Sequence, residues 1–364
     1  MRIFYLITKS EIGGAQTHIY QLSRYFIKRG EKIAVMSYLG GWLEKKMGEL
    51  GIKFYPNKYL FNEINLIRDF KTIKEIKKAI KDFRPDLISC HSTKAGFLGR
   101  LVVKNKIPTI FTAHGWGFTP GVPWWRRYPV LLAEKIAARF CSKIICVSEF
   151  DKKLALKYKI ASPEKIVTIH NGMEIQAEFP REIDPNKIKI VFVGRLGRQK
   201  DPLLLIKGFN ELSFEIKNKV QISIIGEGIK RKELERFIEE NKLEKKIKLL
   251  GRLPRKEVFE ILKKSHIFVL ISNWEGFPYT VIEAMSCGLG IIASDVGGIR
   301  EAIDEKCGIL IKRGDKEELK KALEKLLKNP ELIQEMGRAA QEKTVKEFSL
   351  EKMLKKTNEI YKTL

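Results

Sequence analysis

The stretch Ile271-Ser272-Asn273-Trp274-Glu275-Gly276-Phe277-Pro278-Tyr279-Thr280-Val281-Ile282-Glu283-Ala284-Met285 changes character twice in fifteen residues. It opens at the end of an unbroken apolar run, 267–271, as expected of a short strand buried on both faces. Glu275 and Gly276 then read as a turn. Pro278 suits the first turn of a helix, where its missing N–H has no partner to lose. Free N–H groups at such a helix start can receive a phosphate or a sugar hydroxyl. Strand, turn and helix in this order form half of a βαβ unit, and the rest of the chain repeats the pattern.

Working outward, apolar runs at 2–8, 32–38, 86–90, 108–113 and 143–148 predict strands. Amphipathic stretches at 14–29, 67–83, 93–105, 126–141 and 149–159 predict the helices between them. A polar stretch at 171–188, containing Pro180 and Pro185, reads as a linker. The alternation then restarts, with strands at 189–194, 220–225, 246–250, 267–271 and 290–293. Its helices fall at 202–213, 229–242, 255–264, 279–287, 315–327 and 330–346. Strands alternating with helices imply parallel sheets. The fold class expected is therefore α/β, two Rossmann-like doubly wound domains: 1–175, 176–347, and a last helix, 348–364, packing back on the first domain. A length of 364 residues agrees with two domains. Two such domains create a cleft, and ligands of doubly wound sheets bind beyond the carboxyl ends of the strands.

Spacing bears on the chemistry of the opening stretch. Five helical residues from Pro278 to Glu283 rise about 7.5 Å, and the turn adds to that. Glu275 and Glu283 therefore suit two ends of a long ligand better than a pair of carboxylates acting on one bond, although a capped surface helix would carry the same letters. Three further strand ends stand out. Gly194-Arg195-Leu196-Gly197-Arg198-Gln199-Lys200-Asp201 offers two cations, Arg195 and Lys200, able to neutralise a diphosphate; alone it also reads as a solvated basic loop. Gly13-Gly14 after the first strand lets backbone approach a ligand, but lacks the full dinucleotide fingerprint. His114 ends a strand before a glycine-rich loop, whereas His18, His91, His170 and His266 read as framework residues. Ile225-Gly226-Glu227-Gly228 reads as a structural turn.

These elements, with Val147-Ser148-Glu149 and Ile169-His170-Asn171-Gly172, resemble the retaining GT-B-fold glycosyltransferases, the large family of bacterial glycogen synthases, sucrose synthases and lipopolysaccharide enzymes. The resemblance covers nearly the whole chain. The run from His91 to Arg100 is most similar to the capsule and O-antigen branch. The resemblance implies a hexosyl- or N-acetylhexosaminyltransferase that uses a nucleotide-diphosphate sugar, UDP-sugar by family frequency, with no metal or other cofactor. In it Arg195 and Lys200 hold the diphosphate, which Gly14 approaches from the other domain. Glu275, Gly276, Phe277 and Pro278 grip the sugar, the N–H groups of Thr280 and Val281 face phosphate, Glu283 binds ribose, and His114 contacts the sugar near the reacting carbon. Asp201 stands where many members have glycine. Rival readings are a sugar-nucleotide epimerase on the same fold, and a non-catalytic sugar-nucleotide-binding protein at a membrane.

Composition narrows the setting. The net charge is +25, with +16 in residues 1–180 and +9 in 181–364. An anionic membrane surface or a general solubility bias accounts for it better than nucleic acid, for which no signature is present. The segment Thr119–Pro129 joins Trp124 and Trp125 to Arg126 and Arg127, and reads as a loop that docks on anionic lipid beside an undecaprenyl-diphosphate-linked acceptor. Residues 1–8 read as a strand rather than a signal peptide, so a cytoplasmic protein, peripheral on the inner face of the membrane, is expected. The five cysteines are scattered and read as reduced, partly buried thiols.

Overall fold

The computed structural model describes residues 1–176 and 182–364, so Pro180 of the expected linker lies outside the described residues. Two compact units are present, one of residues 1–171 with 353–364, the other of residues 172–352.

The first unit runs β1 (Arg2–Leu6), α1 (Gly14–Ile27), β2 (Lys32–Ser37), α2 (Trp42–Glu49), β3 (Lys53–Pro56), α3 (Leu66–Phe83), β4 (Leu87–His91), α4 (Thr93–Val103), β5 (Thr109–Ala113), α5 (Trp124–Ala137), β6 (Lys143–Cys146), α6 (Glu149–Lys157) and β7 (Ile166–Thr168). Its seven strands are ordered β3-β2-β1-β4-β5-β6-β7, all parallel. The chain reverses its direction of growth between β1 and β4, so the loops after these strands flank the switch point. There the Thr8 hydroxyl bonds that of Ser92 at 2.7 Å, and Ser92 has a positive φ of 68° as it caps α4. From Met353 on, the last helix belongs to this unit: Tyr361 stacks on Phe26 with centroids 5.1 Å apart and donates to Ser89 at 2.8 Å.

The second unit contains β8 (Ile188–Val193), α7 (Pro202–Asn210), α8 (Phe214–Asn218), β9 (Val220–Ile225), α9 (Arg231–Glu240), β10 (Ile247–Gly251), α10 (Arg255–Lys263), β11 (Ile267–Leu270), α11 (Tyr279–Ser286), β12 (Gly290–Ser294), α12 (Ile299–Ala302), β13 (Gly308–Ile311), α13 (Lys316–Leu327) and α14 (Pro330–Glu347), followed by the start of α15 (Leu350–Lys362). The strands are ordered β10-β9-β8-β11-β12-β13, again all parallel, with the switch point between β8 and β11. The central strands β11 and β12 are buried along their whole length, which explains their unbroken apolar runs.

The expected pair of parallel sheets is present. Three strands escaped the sequence reading, β3, β7 and β13, and all three lie at sheet edges. An edge strand is covered on fewer sides, so it is short and need not be apolar throughout; β3 even carries Lys53 and Pro56. The segment expected as a docking loop is largely helix, because α5 begins at Trp124 and tolerates Pro129 just past its first turn. The five cysteines are free and buried; burial pushes the Cys90 thiol up to about 12 and the Cys141 thiol to about 11, the state of inert core residues.

Beneath α5 lies a buried ion pair. Arg100 on α4 reaches Glu134 on α5 at 2.6 Å, both side chains being almost inaccessible, and its guanidinium sits 4.0 Å over the Phe111 ring. Arg100 also donates to the Gly96 carbonyl at 2.8 Å. This pair fixes α5 against α4, and with it the position of Trp124 and Trp125.

Candidate active site

The loops that leave β8 and β11, on either side of the second switch point, are stitched together. The Asp201 N–H donates to the Ile271 carbonyl at 2.8 Å, the Asn273 N–H to the Gln199 carbonyl at 2.7 Å, and Lys200 forms an antiparallel bridge with Ser272. The consequence is an ion pair between Lys200 Nζ and Glu275 Oε1 at 2.9 Å, both side chains largely shielded from water. The Ser272 hydroxyl donates to the same carboxylate oxygen at 2.7 Å, and Gln199 Nε2 donates to the Trp274 carbonyl at 3.0 Å. The stem of Lys200 crosses Gly194, where a Cβ would stand 2.5 Å from its Cδ. Asp201 has a φ of −106°, so the backbone does not call for a glycine there; its carboxylate pairs with Lys230 at 3.3 Å. Arg195 is exposed, its guanidinium 3.4 Å from the Gln199 side chain.

Gly276 and Phe277 form the bend before α11, and Pro278 is its N-cap rather than its first helical residue. Of the two N–H groups expected to face phosphate, that of Val281 already donates to the Pro278 carbonyl at 3.2 Å and is therefore shared. The Thr280 hydroxyl is buried with no hydrogen-bond partner among the described residues. Glu283, one turn further on, accepts from Arg255 at 3.0 Å. Burial raises the Glu283 carboxyl above the usual range, against the opposing pull of Arg255 and, more weakly, of Lys200. Lys200 thus acts on both glutamates, on Glu275 by contact and on Glu283 through space.

Two features were missed in the sequence. Arg255 opens α10 just beyond β10, and the only hint was a basic residue after a strand-end Pro254. The loop after β12 presses on the site: the Gly298 N–H donates to the Gly276 carbonyl at 2.8 Å, and a Cβ on Gly297 would stand 1.9 Å from the Glu275 carbonyl oxygen. Gly297 has a φ of 59° as well, so both space and backbone demand glycine there. Gly226 has the same role under the β8 loop, where a Cβ would stand 1.9 Å from the Gly194 carbonyl oxygen, in keeping with its reading as structural.

The first unit holds Gly14 at the exposed start of α1, with no side-chain cap on the helix. His114, beyond β5, does not stand alone. Its Nε2 lies 2.9 Å from His91 Nδ1, the two rings stack with centroids 5.2 Å apart, and His18 meets His114 edge-on at 5.0 Å. His18 in turn bonds Asn171 at 3.2 Å. Burial lowers all three imidazoles, His18 to about 4 and the other two well below the ordinary value, so each is neutral near pH 7. Trp116 Nε1 donates to the Asp151 carbonyl at 2.9 Å, which ties the loop after His114 to α6, capped by Ser148.

On α5, Trp124, Trp125, Tyr128 and Leu132 are exposed and recur with the helical turn, Trp124 at 73%. Arg126 flanks Trp125. Arg127 does not join them: its guanidinium donates to the Phe118 carbonyl and to the Tyr158 hydroxyl, each at 3.1 Å, so it braces the fold. A second exposed apolar group, Ile64, Leu66, Ile67 and Phe70, sits at the start of α3. No helix is long and apolar enough to cross a membrane, and no cluster of three or more His, Cys, Asp or Glu residues suited to a metal occurs among the described residues.

Comparison with known proteins agrees with this architecture. Residues 12–177 match the family model Glycosyltransferase Family 4, and residues 174–343 match Glycosyl transferases group 1. An uncharacterized glycosyltransferase of Methanocaldococcus jannaschii is 30% identical over 97% of this chain and 95% of its own. The UDP-Gal:alpha-D-GlcNAc-diphosphoundecaprenol alpha-1,3-galactosyltransferase of Escherichia coli is 29% identical over 83% of this chain and 81% of its own. Among solved structures, Anabaena HepE in complex with UDP-glucose superposes with a TM-score of 0.85 over the full length of both chains, at 19% identity. The chain belongs to the GT-B-fold glycosyltransferases of this family.

Proposed function

We propose that this glycosyltransferase moves a sugar from a UDP-sugar to a lipid-linked saccharide, with retention of anomeric configuration and without a metal ion, in the synthesis of a cell-surface polysaccharide or glycolipid. The observation that carries the reading is the Lys200–Glu275 ion pair at the second switch point, with Glu283 and its partner Arg255 further along the same site. Lys200 and Arg195 supply the positive charge that a departing diphosphate requires. Glu275, with Gly276, Phe277 and Pro278, grips the sugar, and Glu283 accepts from the ribose hydroxyls. Thr280 has a buried hydroxyl at the helix start that lacks a partner among the described residues, as a phosphate ligand would need. His114 contacts the sugar beside the reacting carbon, and Gly14 offers the start of α1 to phosphate. With cations already in place, the leaving group needs no metal to neutralise it.

The acceptor class rests on the E. coli relative, whose name specifies a diphosphoundecaprenol-linked substrate. Trp124, Trp125 and Arg126, joined by the apolar start of α3, would hold the enzyme at an anionic membrane surface. The test is transfer from UDP-sugars to a lipid-diphosphate saccharide in the presence of a chelator, with the product anomer read by NMR. A retained anomer formed at an undiminished rate is expected. An inverted product, or activity abolished by the chelator, would overturn the reading.

A further inference from the structure

We infer that His91 is a positioning residue that fixes the tautomer of His114, as the middle of a buried hydrogen-bond relay running from the last helix to the end of β5. The inference rests on the reading that His114 contacts the transferred sugar. The relay has four members on two elements and the loop beyond β5: Tyr361 on α15, Ser89 and His91 on β4, and His114 in that loop. The Tyr361 hydroxyl donates to Ser89 Oγ at 2.8 Å, Ser89 Oγ lies 3.0 Å from His91 Nε2, and His91 Nδ1 lies 2.9 Å from His114 Nε2. Ser89 and His91 are fully buried and Tyr361 nearly so.

The direction of the relay follows from proton counting. Ser89 Oγ already accepts from Tyr361, and its own hydrogen must be placed in a site closed to water. His91 Nε2 lies within reach as the acceptor. A neutral His91 that accepts at Nε2 carries its hydrogen on Nδ1 and donates it to His114 Nε2. His114 is therefore an acceptor at Nε2 and carries its own hydrogen on Nδ1, so the ring presents a donor at one defined atom and cannot exchange it for a lone pair. Burial keeps both rings neutral, which this arrangement requires. An imidazole without such a partner populates both tautomers and turns more freely, and a group that must aim one N–H at a reacting sugar loses rate in proportion. The packing of Tyr361 on Phe26 holds the far end in place.

The experiment is long-range nitrogen–proton NMR of the full chain carrying 15N-labelled histidine, with His114 assigned through His114→Gln. Wild type is expected to show His114 protonated at Nδ1. His91→Ala removes the donor and should leave His114 as a mixture of tautomers, with kcat lower by about 10- to 100-fold, the scale on which removing a histidine's orienting partner acts, and the donor KM nearly unchanged. His91→Asn, which sets an amide N–H near the place of Nδ1, should restore the single tautomer and most of kcat. His114 protonated at Nε2 in wild type, or a tautomer that His91→Ala leaves unchanged, would overturn the relay. Addition of UDP-sugar or UDP should shift the His114 resonances; an intact tautomer that ignores both would instead overturn the placement of His114 in the reaction.

Discussion

At Lys200 an ammonium stands 2.9 Å from Glu275 while its stem crosses Gly194, so charge and backbone are fixed together. Removing the cation should cost more than a surface charge would: Lys200→Ala is expected to lower transfer by at least about 100-fold, as loss of a group aimed at developing negative charge does. Steady-state transfer rates measure it, with circular dichroism to show that the fold survives. Arg255→Met should act differently. It leaves Glu283 buried without its 3.0 Å partner, which raises the carboxyl further and weakens its grip as an acceptor, so the donor KM should rise about 10-fold or more. Steady-state kinetics with UDP-sugar as the varied substrate read that change. Glu275, Glu283 and Lys200 stood out as candidates because they follow strand ends, and their roles came from the family resemblance, since the Lys200 loop alone also reads as a solvated basic loop. The sequence could not announce Arg255 or Gly297, whose importance comes from neighbours 28 and 22 residues away that only folding supplies. His91 was hidden in a similar way: a histidine at a strand end looks like framework until the ring beyond the next strand is seen to touch it.

Among the elements, α4 and α5 are joined by a charge pair that water cannot reach. Arg100→Met leaves Glu134 buried and unpaired, and should destabilise the protein by about 3–5 kcal/mol. The double variant Arg100→Met/Glu134→Met should recover most of that loss, since two apolar groups replace two desolvated charges. Urea unfolding of the three proteins decides it; equal destabilisation by the single and double variants would mean that packing, not charge, dominates. Central strands were legible because burial on both faces leaves an unbroken apolar run, as in β11 and β12. Edge strands β3, β7 and β13 were not, because each is only three or four residues long, and β3 also carries Lys53 and Pro56. The start of α5 was misread for a related reason. Its exposed face is apolar, so Trp124, Trp125 and Tyr128 looked like a loop motif when Trp124, Tyr128 and Leu132 lie on successive turns of one helix, with Trp125 beside them.

For the molecule as a whole, the histidine cluster makes stability depend on pH with a definite sign. His18 titrates near 6.5 when unfolded and is lowered to about 4 when folded, and His91 and His114 shift the same way. Below pH 6.5 the unfolded chain binds protons that the folded chain refuses, so stability is complete above that pH and falls as the pH drops toward 4. His18 alone contributes a loss of about 3 kcal/mol across that window. Urea midpoints at pH 7 and pH 5 should show the decline. The net charge of +25 leaning to the first half, with exposed aromatic and aliphatic residues on α3 and α5, predicts binding to vesicles that contain anionic lipid, weakened by salt and by Trp124→Ala/Trp125→Ala. Sedimentation with such vesicles at moderate salt checks it, and no binding there would rule out docking by these residues. The central claim, that the charges at the second switch point carry sugar transfer, is tested most directly by one assay. Wild type, Lys200→Ala and Glu275→Ala are screened for slow hydrolysis of a panel of UDP- and GDP-sugars. Hydrolysis of a UDP-sugar by wild type and its loss in both variants are expected; unchanged turnover in the two variants would show that these charges do not carry transfer.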